Sequence, residues 1–412
     1  MFSVETLPIK YEELLNRTTI EKSDLSPDQL EVFNSVLNWH RDPNARQYLK
    51  LAGYAGTGKT TLTAALAREL ERQGERIAYC AFTGKAVNVL AKKLHLSGVN
   101  GWYGTLHSLM YRPEVDASGK ISAWTKAENL PFTMIVVDEA SMVGADLWED
   151  LLSFGLPILA VGDHGQLPPV GNSVVNLMET PDLRLEKIHR QAEGNPILAL
   201  AQHVREGKDH RSFQPMDKRV TFIPSAASIA DKLKVDPLNF GAICYTNRTR
   251  ASLNKFIRKA KGMDSVYPLE NDVVICLKNR KPIFNGMRGI LKNVGHNGHD
   301  FDSYDNFLSD VDFTDDGIKL KATIHMPQFG QPKTFDDLGP LRLKYSQPNL
   351  NWSHLGLMFD YGYALTCHKA QGSQFASVVV IYENLFKDAD TRNRWLYTAF
   401  TRASEQLYIV KP

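Results

Sequence analysis

GYAGTGKT, residues 53–60, follows the apolar run YLKLA and precedes TLTAALAREL, so a glycine-rich loop joins a short strand to a helix. The segment fits the pattern G-x-x-x-x-G-K-[ST]. Glycines let the N–H groups of such a loop point inward, and the helix N-terminus adds positive partial charge. Lys59 can then reach the outer phosphates, and the Thr60 hydroxyl can ligate Mg²⁺. A glycine-rich turn without a ligand is the alternative, but the strand–loop–helix context favours a nucleoside triphosphate site.

The composition is that of an ordinary globular protein. The chain has 412 residues, 43% apolar and 23% charged, and a chain of this length predicts roughly two to four domains. Because the net charge is only +2, a nucleic-acid site would depend on local arrangement of charge. The four cysteines lie far apart without a C-x-x-C pair, which predicts buried thiols in a reducing compartment. We expect no leader or membrane-spanning segment, and a cytoplasmic protein.

Short apolar runs alternate with amphipathic segments along most of the chain. Before the loop, Ser26 and Pro27 predict the start of a helix. RIAYCAF, FTMIVVDEA and LPILAVGD are typical of a parallel sheet covered by helices. A second such pattern begins at GAICYTNRTRASLNKFIRKA and resumes at ASVVVIYE and LYIV. Between them, residues 265–358 contain strand-like runs separated by turn residues, which predict a small antiparallel barrel.

Two further strand ends carry polar side chains suited to phosphate chemistry. MIVVDEASMV, residues 134–143, ends an apolar strand in Asp138 and Glu139, which could hold Mg²⁺ and polarise a water molecule. A solvated strand end is the alternative. LAVGDHGQLPPVG, residues 159–171, places Gln166 on a proline-stiffened loop, where its amide could bind a γ-phosphate and report the nucleotide state.

These segments resemble, in order, motifs of the superfamily 1B DNA helicases of the RecD-like and Dda-like kind. The other matching segments, which extend from about residue 25 to the C-terminus, are AFTGKAV, TLHSLM, LEKIHRQ, CYTNRTRASLN, YALTCHKAQGSQF and LYTAFTRA. The resemblance implies an α/β fold with two RecA-like P-loop motor domains built on parallel sheets. It also implies a β-hairpin insertion in the first motor domain and a small antiparallel, SH3-like β-barrel insertion in the second.

The resemblance also implies domain bounds. They are an N-terminal extension at 1–24, motor domain 1A at 25–183 with the hairpin 1B at about 109–131, motor domain 2A at 184–264 and 359–412, and the barrel 2B at 265–358. No nuclease segment or long N-terminal extension of the RecD type is recognisable in this sequence.

For the nucleotide, the resemblance implies ATP and Mg²⁺ and assigns roles residue by residue. Gln29 would read the adenine, and Arg190 and Arg402 would reach the γ-phosphate; a surface or interface ion pair is the alternative for either arginine. The implied nucleotide-binding residues are Gln29, Gly53, Ala55, Gly56, Thr57, Gly58, Lys59, Thr60 and Thr61. The implied metal ligands are Thr60 and Asp138. The implied catalytic residues are Lys59, Asp138, Glu139, Gln166, Arg190 and Arg402.

For DNA, the matched positions carry hydroxyls, amides, imidazoles and amines that suit phosphate contacts without reading sequence. They are Thr83, Lys85, Thr105, His107, Asn247, Thr366, His368 and Lys369. Because no metal spacing links His107, His189 and His368, hydrogen-bonding histidines are favoured over metal ligands. Trp124, in the hairpin predicted from MYRPEV and ISAWTKA, either stacks on a base at a fork or anchors the hairpin.

Charge is unevenly distributed in the second half. Residues 241–292 carry eleven Lys or Arg against three Asp or Glu, and residues 293–316 carry seven Asp and no Lys or Arg. The basic segment is either a groove that follows a nucleic-acid backbone or simply solvated surface. The acidic run at 300–316 is expected to be a solvated loop, since it lacks the spacing of a calcium loop.

The resemblance thus implies an ATP-dependent DNA helicase that moves 5′→3′ on single-stranded DNA and unwinds duplex DNA. The implied partners are single-stranded and forked DNA, with a single-stranded-DNA-binding protein or replication and recombination proteins as further candidates. The resemblance also implies a monomer that does not associate with a membrane. The location would be the host cytoplasm for a phage-encoded chain. Two alternatives stay open: a nucleic-acid-stimulated ATPase that displaces proteins or acts on RNA, and a non-catalytic binding subunit.

Overall fold

The structure is a computed structural model that describes residues 19–115, 121–168, 176–187, 194–229, 238–278, 280, 283–295, 301–302, 305–313, 318–333 and 355–410. The chain divides into two compact units, residues 1–195 and 196–412. Each unit has its own parallel sheet and its own hydrophobic core.

In the first unit, helices alternate with strands. The helices are α1 (Pro27–Arg41), α2 (Lys59–Arg72), α3 (Gly84–Leu96), α4 (Leu106–Met110) and α5 (Ala145–Leu152). The strands are β1 (Tyr48–Gly53), β2 (Ile77–Ala81), β3 (Trp102–Thr105), β4 (Tyr111–Val115), β5 (Ile121–Lys126), β6 (Met134–Asp138), β7 (Ile158–Gly162) and β8 (Leu183–Leu185). As predicted, Ser26 caps α1 and Pro27 is its first residue.

Six of these strands form one parallel sheet in the order β3-β2-β6-β7-β1-β8. Successive residues of β1 face opposite cores, because side chains alternate along a strand. Leu51 packs among side chains of α1 and α2, and Ala52 packs among side chains of α4 and α5. Since β6, β7 and β1 are adjacent and parallel, their carboxyl ends meet at one edge of the sheet.

The hairpin predicted between α4 and β6 is present. Strands β4 and β5 pair antiparallel, with Tyr111 opposite Lys126 and Pro113 opposite Trp124; the turn between them lies outside the described residues. The base of the hairpin is fastened to α5, because the Tyr111 hydroxyl donates to the Asp150 carboxylate and Lys126 Nζ lies 2.9 Å from the same group.

The second unit contains a parallel sheet and an antiparallel one. The helices are α6 (Pro196–Arg205), α7 (Asn247–Ala260), α8 (Cys367–Ala370) and α9 (Ala389–Phe400). The strands are β9 (Val220–Ile223), β10 (Phe240–Cys244), β11 (Val273–Cys276), β12 (Arg288–Gly295), β13 (Asn306–Phe313), β14 (Ile318–His325), β15 (Phe359–Tyr361), β16 (Ala364–Thr366), β17 (Phe375–Ile381) and β18 (Ala403–Val410). The parallel sheet has the order β16-β10-β17-β18-β9, and the antiparallel sheet has the order β14-β13-β12-β11-β15.

Three buried arginines fasten the antiparallel sheet to the rest of the second unit. On α7, Arg250 pairs with Asp360, and Arg258 Nε lies 2.9 Å from the Asp272 carboxylate. On β12, Arg288 donates to the main-chain oxygens of Leu238 and Phe240, at 2.9 and 3.1 Å. Buried charges of this kind are costly to leave unpaired, so the contacts fix how the inserted sheet packs.

Two expected domain bounds and one expected loop differ from the structure. Strand β8 pairs with β1, and the units divide between Asn195 and Pro196, so the first unit extends beyond residue 183. Strand β15 pairs with β11, so the inserted sheet extends beyond residue 358. Both errors concern short strands whose pairing partners are distant in sequence, which a local pattern does not reveal.

The third error is the acidic run at 300–316, which is not simply a solvated loop. Its residues 306–313 form β13, which pairs with β12 and β14. Val311 and Phe313 are buried, whereas Asp310 and Asp312 alternate with them; Asn293 Nδ2 donates to Asp310 at 2.7 Å. Period-two alternation therefore determined the structure of this segment more strongly than its charge.

Cys80, Cys244, Cys276 and Cys367 are buried and free of disulfides, as predicted. None of the described helices is long and apolar enough to cross a membrane.

Candidate nucleotide site and nucleic-acid interface

The glycine-rich loop has the backbone geometry that its sequence predicts. Gly56 and Gly58 have φ angles of 84° and 77°, which L-residues with a side chain rarely adopt. A Cβ atom on Gly53 would lie 2.7 Å from Thr57 Oγ1, so no larger residue fits there without a shift. Helix α2 begins at Lys59, directly after the loop.

Lys59 lies folded over this loop. Its Nζ donates to the carbonyl oxygens of Gly53 and Tyr54, at 2.6 and 3.0 Å. Both partners are neutral carbonyl oxygens at the carboxyl end of β1. A phosphate oxygen would be a stronger partner than either carbonyl, because hydrogen bonds between charged groups are roughly twice as strong as neutral ones.

Asp138 lies at the end of β6, close enough to Lys59 for their charges to interact. Burial raises the pKa of Asp138, and the Glu139 N–H and the charges of Lys59 and Lys93 oppose that rise. Asp138 is half-buried. A carboxylate that is partly withdrawn from water favours a cation that compensates its charge, and carboxylate and hydroxyl oxygens are ligands that Mg²⁺ prefers. Asp138 and the Thr60 hydroxyl therefore suit Mg²⁺. Glu139 follows in a left-handed turn with a φ of 50°.

Gln166 lies on the loop after β7. It is 5% exposed, and its Oε1 is buried with no hydrogen-bond partner in the described part of the chain. An unsatisfied buried amide costs about 1–3 kcal/mol, which a hydrogen-bonding ligand would recover. The Tyr54 ring packs against the His164 ring with centroids 4.1 Å apart, so this loop contacts the glycine-rich loop directly.

Gln29 also contacts the glycine-rich loop. Its Nε2 donates to the carbonyl oxygens of Thr57 and Gly58, and its Oε1 accepts from the N–H of Ser26. The side chain therefore ties the start of α1 to the loop, and its predicted contact with adenine stays a prediction. Gly53 and Thr57 are buried, whereas Ala55, Thr60 and Thr61 are half-buried around the same loop.

Arg402 follows α9 in the second unit and is 7% exposed. Its guanidinium donates to Thr398 O at 3.1 Å, and to Ser373 O and Thr401 Oγ1 at 3.2 Å. These oxygens are all neutral, and no carboxylate of the described residues forms an ion pair with Arg402. Arg190 and His189 lie outside the described residues.

The predicted DNA contacts of the first unit lie at the carboxyl ends of β2 and β3. Thr83 and Thr105 cap α3 and α4, where their hydroxyls accept from backbone N–H groups. Lys85 lies in the first turn of α3. His107 is exposed, and its ring lies near those of Phe82 and Tyr111, with centroids 6.4 and 5.8 Å away. Phosphate contact by these residues stays a prediction.

The corresponding residues of the second unit lie at the ends of β10 and β16. Asn247 is exposed at the start of α7. Thr366 is buried, and burial lowers the pKa of His368. Burial also lowers the pKa of Lys369, with help from the charge of Arg250. Trp124 has only its backbone pairing described, so its role stays open.

The sequence analysis did not predict two contacts at the carboxyl ends of these strands. One is the Tyr54–His164 ring pair, for which no sequence pattern exists. The other is Glu383, which binds the start of α7 and follows the apolar run of β17. A carboxylate after a buried strand was the signal that singled out Asp138, and it applied equally to Glu383. Among the described residues, no cluster of three or more His, Cys, Asp or Glu could hold a metal ion.

Comparison with known proteins agrees with this geometry. A family model described as an AAA domain matches residues 24–223, and one described as a UvrD-like helicase C-terminal domain matches residues 361–410. An ATP-dependent RecD2 DNA helicase of Deinococcus radiodurans is 28% identical over 94% of this chain, and the ATP-dependent DNA helicase Dda of phage T4 is 26% identical over 63% of it. The chain is therefore similar to the RecD- and Dda-like helicases of superfamily 1B.

The chain spans 49% of the length of the RecD2 helicase and 62% of the length of Dda. A crystal structure of a Bacteroides Pif1 helicase in complex with ADP-AlF3 and single-stranded DNA superposes with a TM-score of 0.54 at 18% identity. The match covers 93% of this chain and 94% of that one. The two proteins therefore share an α/β fold with parallel sheets.

Proposed function

We propose that this chain is an ATP-dependent DNA helicase that moves 5′→3′ along single-stranded DNA and unwinds duplex DNA. The observation that carries the proposal is the sheet edge of the first unit, where Lys59, Asp138 and Gln166 meet. The phosphates would give Lys59 an anionic partner, Mg²⁺ would compensate the Asp138 carboxylate, and the attacking water would donate to Gln166 Oε1. The names of the relatives, which are ATP-dependent DNA helicases, support the same reaction.

Each residue would have a defined task in ATP hydrolysis. Thr60 and Asp138 would hold Mg²⁺, which would neutralise charge on the phosphates. Glu139 would orient and polarise the attacking water, and Gln166 would hydrogen-bond that water or the γ-phosphate. Arg402, together with Arg190, would stabilise the charge that develops as the γ-phosphate transfers.

In this proposal the two units are RecA-like motor domains, and the inserted antiparallel sheet is the small SH3-like barrel of the family. The hairpin β4–β5 is the wedge that separates strands at a fork. The partners are single-stranded and forked DNA, with a single-stranded-DNA-binding protein or replication and recombination proteins as candidates, and the working form is a monomer. Alternating grips of the two units on the strand would convert ATP turnover into steps.

A strand-displacement assay tests the function. Duplexes with a 5′ DNA tail, a 3′ DNA tail or a 5′ RNA tail are compared, with ATP and Mg²⁺ and with EDTA as a control. We expect unwinding of the 5′-DNA-tailed substrate alone, abolished by EDTA. ATPase activity stimulated by single strands without unwinding would instead indicate a translocase that displaces proteins. Strand binding without ATP turnover would indicate a non-catalytic subunit.

A further inference from the structure

Glu383 lies two residues beyond the end of β17 and is half-buried. Its carboxylate accepts four hydrogen bonds from the segment that joins β10 to α7. Two come from the backbone N–H groups of Tyr245 and Thr246, at 2.6 and 3.1 Å. The others come from the hydroxyls of Thr246 and Thr249, at 2.9 and 2.5 Å. A side chain with this many partners determines the shape of the segment that it binds.

The segment that Glu383 binds forms the N-terminus of α7. Thr246 is the capping residue, and its Oγ1 accepts from the Thr249 N–H at 3.1 Å. A carboxylate is favoured here because the N-terminal N–H groups of a helix carry positive partial charge. Glu383 thus completes the cap that Thr246 begins, and both hydroxyls are held by one carboxylate.

The next residue, Asn247, is exposed. Its Oδ1 accepts from Arg250 Nε at 3.2 Å, and its Nδ2 has no hydrogen-bond partner among the residues that the structure describes. An exposed amide N–H at a helix N-terminus is a group that contacts phosphate backbones. On the other side of the segment, the Tyr245 ring packs against Phe386 with centroids 4.6 Å apart.

We propose that Glu383 is a positioning residue that fixes Asn247 and the start of α7 for contact with a nucleic-acid phosphate. This proposal rests on the proposed function, since it assigns Asn247 to the DNA grip. Glu383 itself does not touch the strand, because its oxygens are engaged by Tyr245, Thr246 and Thr249. Its negative charge weakly opposes DNA binding, but salt screens a surface charge within about 8 Å at physiological ionic strength. Loss of the four hydrogen bonds therefore outweighs loss of the charge.

The test compares Glu383→Ala and Glu383→Gln with the wild type in fluorescence-anisotropy binding to a labelled oligo(dT) and in DNA-stimulated ATPase assays. For Glu383→Ala we expect the Kd and the half-saturating DNA concentration to rise about tenfold, the effect of one to two ordinary hydrogen bonds. The ATP KM, and kcat at saturating DNA, should be unchanged. Glu383→Gln, which still accepts from the N–H groups, should recover most of the affinity.

Two variants complete the design. Glu405→Ala removes an exposed glutamate of β18 in the same unit and should behave as the wild type. Thr249→Ala removes one hydroxyl donor without altering Glu383, and should give a smaller rise in Kd than Glu383→Ala. This variant still tests the proposal when Glu383→Ala folds poorly.

Three results with the variants would overturn the proposal. Tighter DNA binding by Glu383→Gln, with a steeper salt dependence, would make Glu383 a charge that repels phosphate. Equal losses of kcat and melting temperature in the Gln and Ala variants would make it a purely structural residue. Variants that bind like the wild type would remove any role in the grip. If the wild-type protein does not bind single-stranded DNA and its ATPase activity is not stimulated by it, the proposed function is overturned, and this proposal with it.

Discussion

The two parallel sheets end in polar edges that differ in how their side chains are satisfied. At the first edge, Lys59 is held by neutral carbonyls, Asp138 is half-buried with a raised pKa, and Gln166 Oε1 has no hydrogen-bond partner among the described residues. At the second edge, Thr246 and Glu383 satisfy each other within the unit. The first edge is therefore arranged for a ligand that brings its own charge, whereas the second is an organised surface that needs no ligand to hold its shape.

The difference has an energetic basis. An unpaired buried oxygen costs about 1–3 kcal/mol in the free protein, and a ligand that pairs it recovers this amount as binding energy. A fully paired cap stabilises the protein with or without a ligand. It contributes to the binding free energy only by holding the binding surface in its bound conformation beforehand. Function at the first edge should thus depend on individual groups that touch the ligand. Function at the second should depend on geometry, and substitutions there should change affinity more gradually.

The largest expected effect is at Lys59. Lys59→Ala should abolish measurable ATP turnover, because it removes the only charge that the glycine-rich loop itself offers to the phosphates. Binding of single-stranded DNA should stay within a few-fold of the wild type, since the predicted grips lie elsewhere. Steady-state ATPase and anisotropy assays measure the two quantities.

A matched control is Lys50→Ala, which removes a lysine of β1 whose Nζ donates to Thr180 away from the loop. It should retain both activities. Substantial DNA-stimulated ATPase in Lys59→Ala would contradict the assignment of the first edge as the nucleotide site.

Arg402 should show the next largest effect. Arg402→Ala should lower kcat roughly 10³-fold or more, as arginines that stabilise phosphoryl transfer do. The KM for ATP should change less, because the charge acts mainly in the transition state. Since Arg402 also makes three internal hydrogen bonds, the melting temperature must be measured alongside.

Arg402→Lys and Arg394→Ala separate the possible causes. Lysine keeps the charge without the planar fork and should restore part of kcat. Arg394 forms a surface pair with Asp390 on α9, so its loss should be nearly neutral. A rise in KM at constant kcat for Arg402→Ala would show that this residue binds only ground-state nucleotide.

The two edges also differ in how well the sequence predicted them. The glycine-rich loop and Asp138–Glu139 are local patterns, and their geometry follows from glycine φ angles and a strand–loop–helix order. Glu383 carries the same local signal as Asp138, a carboxylate after an apolar strand, but its partners could not be predicted, because its four donors lie more than a hundred residues earlier in the chain. The extents of β8 and β15 were missed for the same reason: pairing between distant segments leaves no local signal. The strand β13 was missed although its alternation was visible, because charge was given more weight.

Substitution of Trp124 tests whether the hairpin of the first unit separates DNA strands. If the hairpin is a wedge and Trp124 stacks on a base, Trp124→Ala should slow unwinding about tenfold, in line with the roughly 1–3 kcal/mol that one stacked base contributes. ATPase activity stimulated by single strands should change little. Thr125→Ala, a substitution of the adjacent exposed residue of β5, is the control. Parallel losses of both activities, or a collapse of the melting temperature, would make Trp124 an anchor.

The smallest expected effect concerns pH and the packing beneath the second edge. His210 is 4% exposed, and its ring lies 5.0 Å from that of Tyr382, which precedes Glu383. Burial lowers the pKa of His210, and the neighbouring Asp209 carboxylate opposes this only in part.

Because the pKa is lower in the folded state, the unfolded chain binds more protons as pH falls below the ordinary histidine value of about 6.5. The contribution of His210 to stability is therefore complete above that value and is lost as pH falls through the folded pKa.

Thermal unfolding of the wild type should show a melting temperature that declines from pH 7.5 to pH 5.5. His210→Asn should reduce that decline without removing it, since burial also lowers the pKa of His368. His203→Asn, which replaces a half-buried histidine of α6, is the control. An unchanged slope in His210→Asn would show that the packing beneath the second edge tolerates a charged imidazole, and that this edge is less rigid than its hydrogen bonds indicate.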